Sequence, residues 1–266
     1  MVFRSRLVAL LAAAPLVVAA CSSGAAQQTA TTTSSGQPAV TGAASPSAAS
    51  PSVPPSLTPT TEKSASPSAS ATVDPDAKVI YLTFDDGPWV PYTQQILDVL
   101  AKNDATATFF VVGEMVQQHP DLVRKIHEAG HAIGNHTWDH ANLTEVPEEQ
   151  VRWELRKTAR AVGPTMAACM RPPYGATNET VRRITRQEGY RTILWTHWAV
   201  DWEQPAIPEF LGYLEDATQD KANILLHDGG GDRPNTVEAV RIMLPRWIKK
   251  GYTFQAVPQC LTPHSG

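Results

Sequence analysis

Aromatic side chains are confined to one part of this 266-residue chain, and this confinement limits what can fold. Apart from Phe3, no aromatic residue precedes Tyr81. A segment without large apolar side chains cannot bury enough surface to offset the entropy lost on folding. We therefore interpret residues 21–77, which are rich in Ser, Ala, Thr and Pro, as a disordered tether. Residues 78–266 are enough for one compact domain with its own core.

The first twenty residues have the layout of an export signal. Two arginines precede an apolar run, residues 7–20. This run is shorter than the roughly twenty residues of a membrane-spanning helix and fits the core of a signal peptide. The run leads into Cys21, and residues 18–21 resemble the lipobox of bacterial lipoproteins. We predict that residues 1–20 are removed and that a lipid on Cys21 anchors the domain to the outer face of the cell membrane. The alternative is an ordinary secretory signal with an incidental Cys21.

Charge and hydropathy exclude two classes of partner. The formal net charge is -4 and no Lys/Arg-rich run occurs, which argues against a nucleic-acid partner. No second apolar stretch is long enough to span a bilayer, so we expect membrane contact through the lipid anchor only. We expect the domain to be a monomer.

The domain alternates strand-like and helix-like segments. The strand-like runs are 79–84, 107–112, 132–133, 191–195, 224–226 and 253–257. The helix-like runs are 93–102, 115–129, 147–162, 179–188, 208–218 and 236–250. Repeated βα units predict an α/β fold with a parallel sheet, either open or closed into a barrel. Periodicity alone does not choose between these two.

Two motifs offer metal ligands. Asp85 and Asp86 end the first strand, although Asp-Gly-Pro is also a common turn. His136 and His140 are four residues apart, which places both imidazoles on one side of a helix or presents them from a loop. Two surface histidines are the simpler interpretation of that pair. Together with one aspartate they make two nitrogens and one carboxylate, an open metal site with a position for water or substrate.

Three further motifs also follow strands. Arg171-Pro172-Pro173-Tyr174-Gly175 excludes a helix and predicts a rigid loop, which is either a plain turn or a way to fix Arg171 and Tyr174. Asp201 follows one strand, and His227 ends another just before glycines, a suitable place for a general acid. The carboxyl ends of parallel strands lie on one side of a sheet or barrel. We therefore expect these motifs to converge.

At this point the sequence resembles the NodB-type polysaccharide deacetylases, carbohydrate esterase family four. The resemblance covers about residues 78–258. It implies a distorted (β/α) barrel with seven strands and the removal of acetyl groups from N-acetylglucosamine polymers or acetylated xylan with a divalent metal. The motifs occur in the family's order: Thr83-Phe84-Asp85-Asp86-Gly87, His136-Thr137-x-x-His140, Arg171-Pro172-Pro173-Tyr174, Asp201-Trp202 and Leu225-x-His227.

The resemblance implies a role for each motif residue. Asp86, His136 and His140 would bind the metal, most often Zn²⁺, while Co²⁺ or Ni²⁺ fits the same donors.

Asp85 would be the general base, paired with Arg171. His227 would protonate the leaving amine, and Asp201 would orient it. The backbone N–H of Tyr174 would stabilise the oxyanion.

The resemblance also places Trp202, Leu225 and Pro173 around the acetyl pocket. One position departs from the family, because Trp198 stands where an Asp is usual, three residues before the Asp-Trp pair. Trp198 either reshapes the groove beside the sugar or is a core residue of a buried strand, and we expect the core residue.

The two remaining cysteines suggest a cross-link. In an exported chain disulfides persist, so we expect Cys169 and Cys260 to be bridged, which would tie the C-terminal tail beside the Arg171 loop. Two unpaired buried thiols are the alternative.

Three functions compete on the sequence. The first is a metal-dependent N-acetyl deacetylase of peptidoglycan or a chitin-like oligomer, so its partner is an acetylated polysaccharide. The second is an acetylxylan O-acetyl esterase, which needs no strong leaving-group acid. The third is a non-catalytic glycan-binding lipoprotein, which would not require acid, base and metal ligands together.

Overall fold

A computed structural model of the chain describes residues 77–265. Strands and helices alternate along most of this range, as predicted. The strands are β1 (Lys78–Asp85), β2 (Thr108–Val111), β3 (Ala132–Asn135), β4 (Met166–Met170), β5 (Arg191–Thr192), β6 (His197–Trp198), β7 (Ala222–His227) and β8 (Tyr252–Phe254). The helices are α1 (Tyr92–Ala101), α2 (Gly113–Gln118), α3 (Pro120–Glu128), α4 (Glu148–Val162), α5 (Glu179–Gln187), α6 (Ile207–Asp216) and α7 (Pro234–Lys249).

The strands form one sheet in which every pairing is parallel. The order is β5-β4-β3-β2-β1-β7-β6, and β8 pairs with the beginning of β1. Within residues 77–265 no ladder joins β5 to β6, so the sheet curls into a barrel that stays open between them. The predicted distorted (β/α) barrel is confirmed, with one strand more than the seven that the resemblance implied.

The central strand β1 is buried on both faces. On one face Ile80, Leu82 and Phe84 have no exposed surface, and on the other face Thr83 and Asp85 are buried. A parallel sheet needs this double cover because its helical crossovers pack against it. The buried charged residue of β1 is Asp85, at its carboxyl end, so the core also fixes where the polar site begins.

Several predicted segments differ in detail. The predicted helix 115–129 is two helices, because Pro120 has no N–H for a helix interior and instead begins α3. The predicted strand 191–195 was too long: only β5 pairs there, and β6 is a separate two-residue strand. Strand β4 was not predicted at all.

A disulfide joins Cys169 of β4 to Cys260 near the C-terminus, across 91 residues of sequence. The Ala168 N–H also donates to the Thr262 carbonyl (2.7 Å). The C-terminal segment is therefore held along β4, the strand that leads into Arg171.

The predicted signal peptide, Cys21 and the tether up to residue 76 lie outside the described residues. Among residues 77–265, no helix combines the length and the apolar character needed to cross a bilayer.

Candidate active site

The motifs singled out in the sequence meet in one cavity of about 450 Å³ at the carboxyl ends of the strands. The loops that follow parallel strands lie at the same edge of the sheet, which is why motifs that are distant in the sequence converge. The cavity walls are Asp85, Asp86, His136, His140, Pro172, Tyr174, Trp195, Trp202, Leu225 and His227.

Asp86, His136 and His140 bring one ligand atom each to within 4.8 Å of one another. Asp86 Oδ1 lies 3.3 Å from His136 Nε2 and 3.1 Å from His140 Nε2. This oxygen is buried and has no well-directed hydrogen-bond partner. An unpartnered buried carboxylate oxygen facing two imidazole nitrogens is stabilised by a cation between them. The three residues therefore fit a divalent metal, as the sequence predicted.

The backbone of Arg171 orients one of these imidazoles. His136 Nδ1–H donates to the Arg171 carbonyl (2.7 Å), which leaves Nε2 to face Asp86. His140 Nδ1 lies 3.2 Å from the Tyr174 hydroxyl. Metal-binding imidazoles are usually held through their second nitrogen in this way.

The segment from His136 to His140 is a loop, not a helix, which settles the alternative left open by the sequence. Thr137 and His140 both have positive φ angles, 68° and 63°. Glu154 of α4 holds the loop, because its Oε2 accepts from the Trp138 N–H (2.7 Å). Burial raises the pKa of Glu154, and the hydrogen bond from the Trp138 N–H opposes this shift.

Glycine residues pack closely against Asp86 and the nearby Asp228. The φ angle of Asp86 is itself positive, 72°. A Cβ on Gly230 would lie 2.5 Å from Asp86 Oδ2, and a Cβ on Gly87 would lie 2.1 Å from Asp228 Oδ2. Only glycine fits at both positions, because no side-chain atom can approach an oxygen so closely.

Two titratable groups at the metal site have shifted pKa values. Burial raises the pKa of Asp86, but contacts with His136 and His140 and the positive charge on His136 outweigh it and hold the pKa well below its usual range. Burial lowers the pKa of His136, but the charges of Asp85 and Asp86 prevail and raise it. The site thus concentrates negative charge where a cation would bind.

Asp85 is buried and paired with Arg171. Arg171 Nη1 donates to Asp85 Oδ1 (2.8 Å) and to Thr83 Oγ1 (2.7 Å). Asn223 Oδ1 accepts from Arg171 Nη2 (3.2 Å), so the guanidinium is fully enclosed by acceptors. A buried charge needs such partners. Asp85 Oδ2 remains for the cavity, 3.8 Å from His136 Nε2.

His227 forms the opposite wall. Its Nδ1 lies 2.8 Å from Asp201 Oδ1, its backbone N–H donates to Asp201 Oδ2 (2.8 Å), and Thr236 Oγ1 donates to the same oxygen (2.9 Å). Burial lowers the pKa of His227, but the charge and hydrogen bond of Asp201 raise it to about 9. His227 therefore carries a proton at neutral pH.

The predicted pocket residues are mostly in place. Leu225 and Trp202 line the cavity, and the Trp202 ring stands edge-on to His227 at 5.6 Å. Both prolines are buried, and Pro172, not the predicted Pro173, lines the cavity. Tyr174, at φ 60°, projects from the rim with 71% of its surface exposed.

Sequence reasoning missed several residues around the cavity. Trp195 is a wall of the cavity, and Thr83 and Asn223 hold Arg171. Asp228 is buried beside Gly87 and accepts from Thr93 Oγ1 (2.5 Å). Burial raises the pKa of Asp228 to about 7. The only available signal for Asp228 was its place directly after His227.

Trp198 is not a core residue. More than half of its surface, 56%, is exposed on the edge strand β6, so the expectation of a buried tryptophan is wrong. β6 is a two-residue strand at the edge of the sheet and pairs only with β7, so its side chains have neighbours on one side only.

Comparisons with known proteins agree with this fold. The family model for polysaccharide deacetylase matches residues 72–193. The chain is 36% identical over 191 residues to a peptidoglycan-N-acetylglucosamine deacetylase of Bacillus cereus, covering 70% of this chain and 89% of that relative. It is 36% identical over 198 residues to a chitooligosaccharide deacetylase of Rhizobium leguminosarum bv. trifolii, covering 69% and 92%. The structure of peptidoglycan deacetylase PdaC from Bacillus subtilis aligns with a TM-score of 0.65 at 32% identity, over 71% of this chain and 92% of that one.

Proposed function

The chain belongs to the polysaccharide deacetylase family and is a hydrolase of that class, and we propose that it removes N-acetyl groups from an N-acetylglucosamine-containing glycan in a metal-dependent reaction. One observation carries the proposal: a buried carboxylate, an imidazole paired with a second carboxylate, and a three-residue metal set line the same cavity. A site that only binds glycan does not need all three.

Asp86, His136 and His140 would hold the metal, Zn²⁺ being the first candidate and Co²⁺ or Ni²⁺ fitting the same donors. When bound, a divalent metal polarises the acetyl carbonyl and lowers the pKa of water. Relatives named as deacetylases of peptidoglycan and chitooligosaccharides support this assignment.

The remaining residues move protons and stabilise charge. Asp85 would accept a proton from a water molecule while the oxygen of that water adds to the acetyl carbon. Arg171 keeps the Asp85 carboxylate in place. The backbone N–H of Tyr174 would donate to the developing oxyanion. His227 would donate its proton to the amide nitrogen as the C–N bond breaks, giving acetate and a free amine on the sugar. Asp201 holds His227 protonated for this step.

The test is acetate release from a panel of substrates. We expect acetate from N-acetylglucosamine oligomers or peptidoglycan, with peptidoglycan favoured because the tether predicted here would hold the domain near the membrane. Acetylated xylan belongs in the panel, because an ester's alkoxide leaves with little help from an acid. Acetate from xylan alone would replace the proposal by an O-acetyl esterase, and no acetate from any substrate would favour a binding protein.

The pairing of His227 with Asp201 predicts a pH effect. His227 must be protonated to act as the acid, so kcat/KM should fall as the pH rises through about 9. Asp201→Asn removes the charge that raises this pKa. The basic limb should then move toward the ordinary histidine value of about 6.5. The pH profile of kcat/KM measures this, with Asp139→Asn, an exposed aspartate on the ligand loop, as the matched control. An unmoved basic limb would remove His227 from the acid role.

The lipid anchor is a separate proposal, supported by the sequence around Cys21. Cys21→Ser should move the protein from the membrane to the soluble fraction, since lipidation requires the thiol. Acetate release by the soluble variant should equal that of the parent. Membrane association that persists in Cys21→Ser would rule out a lipid at this position.

A further inference from the structure

Trp198 exposes a large apolar surface at the edge of the sheet, next to the catalytic cavity. It pairs in register with Leu225, and Leu225 is a wall of that cavity. Neighbouring strands lie about 4.8 Å apart. The backbone of Trp198 therefore stands one strand away from the cavity wall.

A second cavity of about 300 Å³ lies at this edge. Its walls are Thr196, His197, Trp198, Tyr213, Asp216 and Ala217. Two aromatic rings are thus combined with hydroxyl, imidazole and carboxylate groups. A pyranose ring presents the matching surface, with C–H groups on its faces and hydroxyls around its rim. Binding sites commonly pair apolar walls with a few placed polar groups in this manner.

Hydrogen bonds hold Thr196 and His197, which form the polar wall of this second cavity, in position. Thr196 Oγ1 lies 2.9 Å from His197 Nδ1, and Gln219 Nε2 lies 2.8 Å from His197 Nε2. The Asn223 N–H donates to Thr196 Oγ1 (2.9 Å), which ties this wall to β7. A preorganised wall loses little side-chain freedom on binding.

No packing role accounts for Trp198. It belongs to neither buried cluster of the described residues, and 56% of its surface is exposed. An exposed indole offers a flat apolar face and a polar N–H, the combination for which tryptophan is enriched at binding interfaces.

We propose that Trp198 and this second cavity bind a sugar ring of the same glycan, away from the ring being deacetylated. The inference rests on the proposed function and deepens it. The enzyme would then recognise a polymer over more than one residue, and long oligomers would bind more tightly than short ones.

The test compares oligomers of N-acetylglucosamine, from the shortest that the parent enzyme cleaves up to the hexamer. Loss of one aromatic contact should change the affinity for the hexamer by roughly two- to tenfold. Trp198→Ala should raise KM for the hexamer by about this factor, leave kcat unchanged, and leave KM for the shortest oligomer unchanged. Trp198→Phe, which keeps a ring, should restore part of the loss.

Ile248→Ala is the control, because Ile248 is 42% exposed on α7 and lines neither cavity. Calorimetric titration of each variant with the hexamer separates binding from turnover. Weaker hexamer binding in Trp198→Ala alone supports the subsite even if no acetate is released, in which case only the proposed function fails. Equal hexamer affinity in the parent and both variants, or equal loss for short and long oligomers, would overturn the subsite.

Discussion

Asp85→Asn should lose most turnover, about 10²- to 10⁴-fold in kcat, while the protein keeps its metal. A general base contributes a rate factor of this size. The amide of Asn cannot accept the proton, yet the change is isosteric and leaves Asp86, His136 and His140 untouched. Acetate release measures kcat, and elemental analysis of the purified variant measures the metal.

Asp139→Asn makes the same chemical change at an exposed position and should keep parental activity. A second result would carry more information than lost activity alone. If Asp85→Asn lost its metal and Asp86→Asn retained it, the roles of the two adjacent aspartates would have to be exchanged.

Metal removal should abolish activity, and Zn²⁺ or Co²⁺ should restore it. His136→Ala should also weaken metal binding by more than 10- to 100-fold, because that is the usual cost of losing only the partner that orients a ligand. His136 is buried between Asp86 and the Arg171 carbonyl, so its loss removes an oriented nitrogen from the ligand set. Competition with a chromogenic chelator measures the affinity.

His127→Ala removes an exposed histidine of α3 and should leave metal affinity unchanged. Full activity in protein shown to be free of metal would contradict metal dependence. Unchanged affinity in His136→Ala would contradict the ligand set.

The fold was predictable wherever apolar periodicity was strong. β1 was expected at residues 79–84 and spans Lys78–Asp85. β4 was missed because its sequence, Met-Ala-Ala-Cys-Met, has neither β-branched nor aromatic residues, and its neighbours β3 and β5 define it. β6 contains only two residues, too few to show any period.

The site was predictable where motif residues act through their own side chains. The metal set and the Asp85–Arg171 pair meet as expected. The supports were not predictable, since Glu154 and Asn223 reach the site from distant elements through side-chain hydrogen bonds. Such contacts depend on how helices and strands pack, and a motif does not record packing.

The expectation that Trp198 is buried was wrong for a related reason. A tryptophan within an apolar strand is usually internal, but exposure depends on whether a neighbouring strand covers it. β6 is the last strand of the ladder, so its side chains have cover on one side only.

Arg171 joins the two halves of the site through chemically different parts of one residue. Its guanidinium holds Asp85, whereas its carbonyl holds His136. Substitution of Arg171 can remove the contact with Asp85 but not the contact with His136, because every amino acid has a backbone carbonyl. A single substitution at Arg171 can therefore remove the partner of Asp85 and still keep the backbone contact that orients His136.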